Sequence, residues 1–314
     1  MNAAVVTAFG SAPVWQPFPD PEPREGEVVA EMLAAGVHPR VRSQADGSHY
    51  TSEGSLPLVP GVDGVGRFPD GTVRYFAVAS DTRGTMAERV AVDPRASVVL
   101  PEGADPVVVA AAVNPVMSSW VALRQRIDLP EKARVLVLGA TGASGAAAVQ
   151  VAKHLGAASV IASGRNAARL AELAALGADA TIPLDDVDAL GRAAADVDVV
   201  IDYVWGQPAA EVMRAIVTSR TAPGARLDWI AIGSTAGQTA EIPSAALRSS
   251  GLTIVGSGQG SVDRRAFIAE LPNIVRVIAD GRIRTTAVAV PSAEVETAWQ
   301  SGGRSAGARV VLTF

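Results

Sequence analysis

Residues 135–157 read VLVLGATGASGAAAVQVAKHLGA. An apolar run, three glycines spaced three apart and a helical pattern predict a β-strand, a tight turn and an α-helix. Gly139, Gly142 and Gly145 suit the turn, the close approach of backbone to ligand and the close packing of helix on strand. The amides of Thr141, Gly142, Ala143 and Ser144 then stand at a helix N-terminus, where a pyrophosphate is favoured. Glycine-rich strand–helix turns also occur without a ligand. Further β–α units follow this one, and they favour a dinucleotide. The motif begins at residue 135 of 314, so another domain precedes it.

The next strand bears on which dinucleotide is held. An NAD site places Asp or Glu there, roughly 20 residues past the glycines, on the adenosine ribose. Here the segment reads VIASGRNAARL, without a carboxylate before Glu172. Ser163, Gly164, Arg165 and Asn166 stand at the strand end, and Arg169 lies one helical turn further on. A guanidinium beside the ribose suits a 2′-phosphate. The other reading of Arg165 and Arg169 is a pair of solvated surface arginines. NADP(H) is the expected cofactor.

The rest of the chain divides by rhythm. Residues 27–100 carry short β-like runs, EVVAEMLAAGV, TVRYFAVAS and MAERVAV, with residues 43–66 as a long Gly, Ser and Pro-rich loop. DPVVVAAAVNPVMSSWVALRQRI is helix-like, and Pro115 is expected to interrupt it. Strand and helix then alternate: the helix from Ala143 to His154 ends at Gly156, and the next is capped by Asn166 and ended by Gly177. VDVVID, RLDWIAI and LTIVG continue the alternation, which indicates a parallel sheet covered on both faces. TTAVAV and ARVVLTF near the end are β-like again, and are expected to return to the first domain. His154, inside a helix, needs no chemical role.

Composition removes whole classes of chemistry. The chain has no cysteine, which excludes disulfides, thiolate nucleophiles and cysteine-held metal. A net charge of −5 without a basic stripe argues against a nucleic-acid partner. No run of ~18 uninterrupted apolar residues and no secretory signal is visible, so a cytoplasmic protein without a membrane partner is expected. Three histidines, His38, His49 and His154, show no metal-binding spacing, and no metal is expected.

Several pieces in order resemble one family. AAGVHPRVRS is similar to a G-V-N-P segment, PLVPGVDGVG to a P-x-x-P-G-x-[DE]-x-x-G turn, and GTMAERVAV to a G-[ST]-[FM]-A-E-Y strand. GATGASG resembles the phosphate loop, VDVVIDYVWG the fourth sheet strand and GARVVLTF the closing strand. Together they resemble the zinc-independent quinone oxidoreductase branch of the medium-chain dehydrogenase/reductases. VNPVMSSWVAL adds a likeness to the superfamily's enoyl reductases. The resemblance implies an α/β protein with a GroES-like β-rich catalytic domain over residues 1–113. A Rossmann NADP-binding domain with a doubly wound parallel sheet spans 114–281, and 282–314 return to the catalytic domain.

What the resemblance implies about chemistry is an NADPH-dependent transfer of hydride to a quinone or an α,β-unsaturated carbonyl, without metal, by a homodimer. Zinc members carry G-H-E where this chain has Gly61-Val62-Asp63, and a cysteine ligand where it has His38. Tyr50 matches a tyrosine of the substrate loop, and Tyr50 or His38 donates the proton or hydrogen bond that the acceptor needs. Ser118 stands where the enoyl reductases place a threonine against the cofactor, and Gly233 and Arg309 join the cofactor set. Asn114, Tyr203 and Trp205 border the substrate pocket. His38, Val41 and Trp205 depart from the family pattern, which leaves the substrate open. Two other readings stay open: an NADPH-binding sensor or structural protein with little turnover, and a carbonyl or imine reductase.

Overall fold

The structure is a computed structural model that describes residues 1–49, 52, 54–78, 80, 82–300 and 308–314, and the backbone of 304–305. The chain opens with β1 (Asn2–Val5), β2 (Val14–Pro17), β3 (Val28–Gly36) and a short helix α1 (Pro39–Ala45). Next come β4 (Asp63–Arg67), β5 (Val73–Ala77), β6 (Arg89–Val92), β7 (Ser97–Val99) and α2 (Pro106–Val121). Alternation then sets in: β8 (Arg134–Leu138), α3 (Ala143–His154), β9 (Ser159–Gly164), α4 (Ala167–Glu172) and β10 (Ala180–Pro183). It continues with α5 (Val187–Ala193), β11 (Val199–Asp202), α6 (Gly206–Ser219), β12 (Arg226–Ala231), α7 (Ser244–Arg248), β13 (Gly251–Gly256) and α8 (Arg264–Ala279). The last elements are β14 (Ala287–Pro291), α9 (Val295–Gln300), β15 (Arg304–Ser305) and β16 (Ala308–Thr313).

Residues 1–114 and 271–314 pack as one unit, and residues 115–270 as another. The chain therefore rejoins the first unit inside α8, at Leu271, where the sequence suggested residue 282. In the first unit the main sheet runs β14-β16-β3-β4-β5-β7, and β6 also pairs with β3. The tail returns as expected: Val311, Leu312 and Thr313 of β16 pair antiparallel with Gly36, Ala35 and Ala34 of β3. β4 was hidden within the segment that reads as a loop. Its glycines serve close strand packing, since a Cβ at Gly64 would lie 2.7 Å from the Ala34 carbonyl oxygen and one at Gly66 2.8 Å from that of Glu31. With no side chains at those positions, no period-2 pattern shows in the sequence.

In the second unit six parallel strands run β10-β9-β8-β11-β12-β13. Numbered within the unit this is the order 3-2-1-4-5-6, and the winding reverses between β8 and β11. Leu136 and Leu138 of β8 join a buried cluster with Leu190 of α5 and Val212, Met213 and Ile216 of α6. Side chains alternate across a strand, so the equally buried Val135 and Val137 face the other side. Both faces are covered, which is why these strands read as continuous apolar runs.

Pro115 does not break α2, which runs through it and ends in a π-helical turn at 122–126. Ser118 Oγ also donates to the Pro115 carbonyl, at 2.8 Å. By length and composition alone the helix Pro106–Arg126 could cross a membrane, its most apolar 18-residue window having mean hydropathy 1.6, although it holds no uninterrupted apolar run of that length, as the sequence predicts. It is a core helix: 67% of its most apolar window is buried inside the protein.

Candidate active site

The phosphate loop is tied down from the neighbouring strand. Gly139 and Ala140 both donate backbone N–H to the Ser163 carbonyl, at 2.9 and 2.8 Å. Gly139 has φ +82°, which glycine adopts without strain. Gly145 lies so close beneath the turn that a Cβ would collide with the Gly139 carbonyl oxygen. The amide of Gly142 donates to Gly139 at 3.1 Å, which corrects its expected role as a phosphate donor. Ala143, Ser144 and Gly145 open the twelve-residue α3, and first-turn amides have no intrahelical acceptor. These three amides, at a helix N-terminus that packs this closely on the turn only because residue 145 is glycine, fit a pyrophosphate.

At the end of β9 the expected roles separate. Ser163 is fully buried, and its hydroxyl has no partner among the described residues. Gly164 makes room for Thr141, whose Oγ1 would lie 2.7 Å from an added Cβ. Thr141 thus braces the loop. Asn166 Oδ1 accepts from the Arg169 amide at 3.0 Å and caps α4. Arg169 pairs with Glu172 at 2.7 Å, so much of its charge is answered within the helix. Arg165 is exposed and makes no ion pair among the described residues. It is the guanidinium left for a 2′-phosphate.

The loop after β11 is held from both sides. Asp202 is fully buried: Oδ1 accepts from the amides of Val204 at 2.7 Å and Trp205 at 2.9 Å, and Oδ2 from Trp229 Nε1 at 2.9 Å. Burial raises its pKa above the ordinary carboxylate value although these three donors oppose the shift. A Cβ at Gly139 would meet Tyr203 Cβ at 3.2 Å, so this loop packs directly on the phosphate turn. Gly233 donates its amide to the Asp202 carbonyl at 3.2 Å and packs against Tyr203. Trp205 is held at φ +50°, where an L-residue is strained. The Tyr203 hydroxyl lies 2.8 Å from Ser118 Oγ, and burial pushes its pKa up to about 12.

In the first unit His38 is buried at the N-terminus of α1, with Nε2 3.1 Å from Asp63 Oδ1. Tyr75 donates to Asp63 Oδ2 at 2.7 Å. Val41 is buried in α1, Asn114 is half-buried in the middle of α2, and Arg309 is buried on β16. Tyr50 lies outside the described residues. The donors present do not fit zinc, because Val62, which has no ligating atom, stands where zinc members carry the histidine of G-H-E, and Asp63 is engaged by His38 and Tyr75. Among the described residues no group of three or more His, Asp or Glu is gathered for a metal ion.

Reading the sequence did not single out Asp202, Asp63 or Tyr75. The signal for Asp202 was available: a carboxylate ending the apolar run VVID is an acid headed for burial, and buried acids are paired. Asp63 and Tyr75 are far apart in sequence, and only the β4–β5 pairing unites them.

A family model described as zinc-binding dehydrogenase matches residues 143–279. A probable NADPH-dependent quinone reductase of Emericella nidulans is 32% identical, over 99% of this chain and 99% of that one. The chloroplastic NADPH-dependent alkenal/one oxidoreductase of Arabidopsis thaliana is 26% identical, over 52% of this chain and 46% of its own. Among solved structures, the quinone oxidoreductase of Thermus thermophilus, also solved in complex with NADPH, has a TM-score of 0.84 at 29% identity over the full length of both chains.

Proposed function

This chain belongs to the quinone oxidoreductase branch of the medium-chain dehydrogenase/reductase superfamily, and from that membership we propose that it reduces quinones and α,β-unsaturated carbonyls with NADPH. Bound NADPH supplies the hydride and both electrons. The amides of Ala143, Ser144 and Gly145 hold the pyrophosphate, and Arg165 holds the 2′-phosphate. Ser118 and Tyr203 orient the nicotinamide end, and Trp205 and Asn114 shape the space for the acceptor. Negative charge developing on the acceptor oxygen needs a donor, and Tyr50 and His38 are the groups assigned to it. No metal takes part, in keeping with the donor set around His38 and Asp63.

The observation that carries the cofactor assignment is the exposed Arg165 where an NAD site would hold a carboxylate. The full-length similarity to a probable quinone reductase supports the acceptor class. The protein works as a cytoplasmic homodimer. Support for pairing comes from β13, an edge strand with half-exposed residues, since open sheet edges are usually covered.

The test is consumption of NADPH against a panel of simple quinones, enones, aldehydes and imines, with identification of the product. Saturation of the C=C bond or formation of hydroquinone supports the proposal. Alcohol or amine products alone would move the activity to carbonyl or imine reduction. Tight NADPH binding without turnover across the panel would make the chain a sensor.

A further inference from the structure

His38, Asp63 and Tyr75 form a line of hydrogen bonds inside the first unit, at relative exposures of 2%, 3% and 0%. The sheet brings them together. Asp63 opens β4, Tyr75 lies on the neighbouring β5 opposite Val65, and His38 follows the end of β3, which pairs with β4 on its other side. Thr85 Oγ1 donates to the Asp63 carbonyl at 2.7 Å and fixes the backbone under the carboxylate. Tyr75 keeps its proton, because burial and the adjacent Asp63 charge push its pKa well above the ordinary phenol value. It therefore donates to Oδ2 at 2.7 Å. The remaining oxygen, Oδ1, faces His38 Nε2 at 3.1 Å. A carboxylate accepts hydrogen bonds, so Nε2 carries the hydrogen.

This leaves His38 Nδ1, which is buried and has no partner among the described residues. A polar atom buried without a partner is costly, and it calls for an explanation in use. With Nε2–H committed to Asp63, Nδ1 is an acceptor in the neutral ring and a donor in the imidazolium. A quinone carbonyl accepts and a hydroquinone hydroxyl donates, so the two states of Nδ1 match the two ends of the reaction.

We propose that Asp63 and Tyr75 are positioning residues that lock His38 as the Nε2–H tautomer, so that Nδ1 delivers the proton that completes reduction of the acceptor. The proposal rests on the quinone and enone reductase reading given above. The acceptor gains one hydride, carrying both electrons, and one proton. The His38 Nδ1–H bond breaks, the new O–H or C–H bond forms on the acceptor, and neutral His38 still donates Nε2–H to Asp63. Nδ1 then recovers a proton from solvent. The contact from Nδ1 forms when the acceptor binds, as catalytic hydrogen bonds commonly tighten only in the complex.

Nitrogen-15 NMR of the histidine-labelled chain tests the lock directly, because there are only three histidines to assign. Substitutions His49→Gln and His154→Gln identify the His38 signals. The expected neutral ring has Nε2 protonated and Nδ1 unprotonated, and Asp63→Asn admits the opposite tautomer. Addition of a hydroquinone with NADP⁺ should shift the Nδ1 resonance. Asp63→Asn should lower the rate of single-turnover quinone reduction about 10- to 100-fold, with Asp63→Glu recovering part of it and NADPH affinity held within about 2-fold. Tyr75→Phe should act in the same direction and more weakly. If wild-type His38 carries its neutral-ring proton on Nδ1, the proposal is wrong, whether or not the variants fold. It is equally wrong if folded Asp63→Asn reduces quinone at the wild-type rate. A wild type that reduces no quinone or enone overturns the functional reading and this proposal together; the tautomer result separates the two failures.

Discussion

The Tyr203 hydroxyl lies 2.8 Å from Ser118 Oγ, which itself lies 2.8 Å from the Pro115 carbonyl. Because a carbonyl only accepts, the arrangement that gives each short contact a proton has Tyr203 donating to Ser118 and Ser118 to Pro115. The loop after β11 is thereby tied to α2 beside its proline, within the second unit. Ser118 keeps a lone pair for an N–H donor, such as the carboxamide of a nicotinamide, and Tyr203 has no proton to spare for the acceptor.

This direction has an energetic signature. Tyr203→Phe and Ser118→Ala should each destabilise the protein by about 1 kcal/mol, and the double variant should cost less than their sum by about 1 kcal/mol. Urea unfolding of the four proteins completes the cycle. Strict additivity would show that the two hydroxyls do not interact in solution.

Cofactor preference should rest on Arg165 and much less on Arg169, since Glu172 already engages the latter at 2.7 Å. NADPH should bind at least about 10-fold better than NADH at low salt, with the gap narrowing as salt rises. Arg165→Ala should remove most of the gap from the NADPH side and leave NADH nearly unchanged, whereas Arg169→Ala should change NADPH affinity less than about 3-fold. Titration calorimetry with both cofactors reads each outcome. Equal affinities in the wild type would refute the NADPH assignment.

Trp205 occupies φ +50° because Asp202 accepts from its amide and Gly206 continues the turn at φ +68°. Trp205→Gly should therefore be more stable than Trp205→Ala by about 1 kcal/mol, although glycine is usually the worse choice. Asp202→Ala should cost about 3 kcal/mol, since it strands three buried donors together. Thermal melts order the variants; an alanine variant as stable as the glycine one would mean that the loop relaxes on substitution.

Glu270 links α8 to the end of α2: it accepts from Trp120 Nε1 at 2.8 Å, Arg124 Nε at 3.0 Å and Gln125 Nε2 at 2.9 Å. Burial favours its neutral form, but these three donors and the Arg124 charge win and hold its pKa below the ordinary 4.5. A carboxyl depressed on folding contributes stability that is full above its unfolded value and lost as pH falls through its folded one. Stability should fall below pH 4.5, and Glu270→Gln should have a shallower acid slope. Urea midpoints from neutral to acid pH measure the difference, and equal slopes would remove Glu270 from the acid response.

The sequence by itself determined the parallel unit and its cradle. Runs such as RVLVL and VVID are apolar throughout because both sheet faces are covered, and a glycine turn between strand and helix has few other uses. It also determined the Asn166 cap and the return of the tail, which depend on residues close in the chain or on a plain β pattern. β4 stayed hidden, since Gly64 and Gly66 meet backbone from β3 and show no alternation. Pro115 misled because propensity argues for a break, while burial of the helix in the core carries it through. Which expected groups can reach a ligand was decided only by tertiary structure. Gly142 spends its amide within its own turn, Gly233 donates to the carbonyl of Asp202, and Arg169 meets Glu172. The buried line from Tyr75 through Asp63 to His38 exists only because three strands lie side by side, and hydrogen bonds between side chains depend on angstrom-scale geometry that residue type and spacing do not encode.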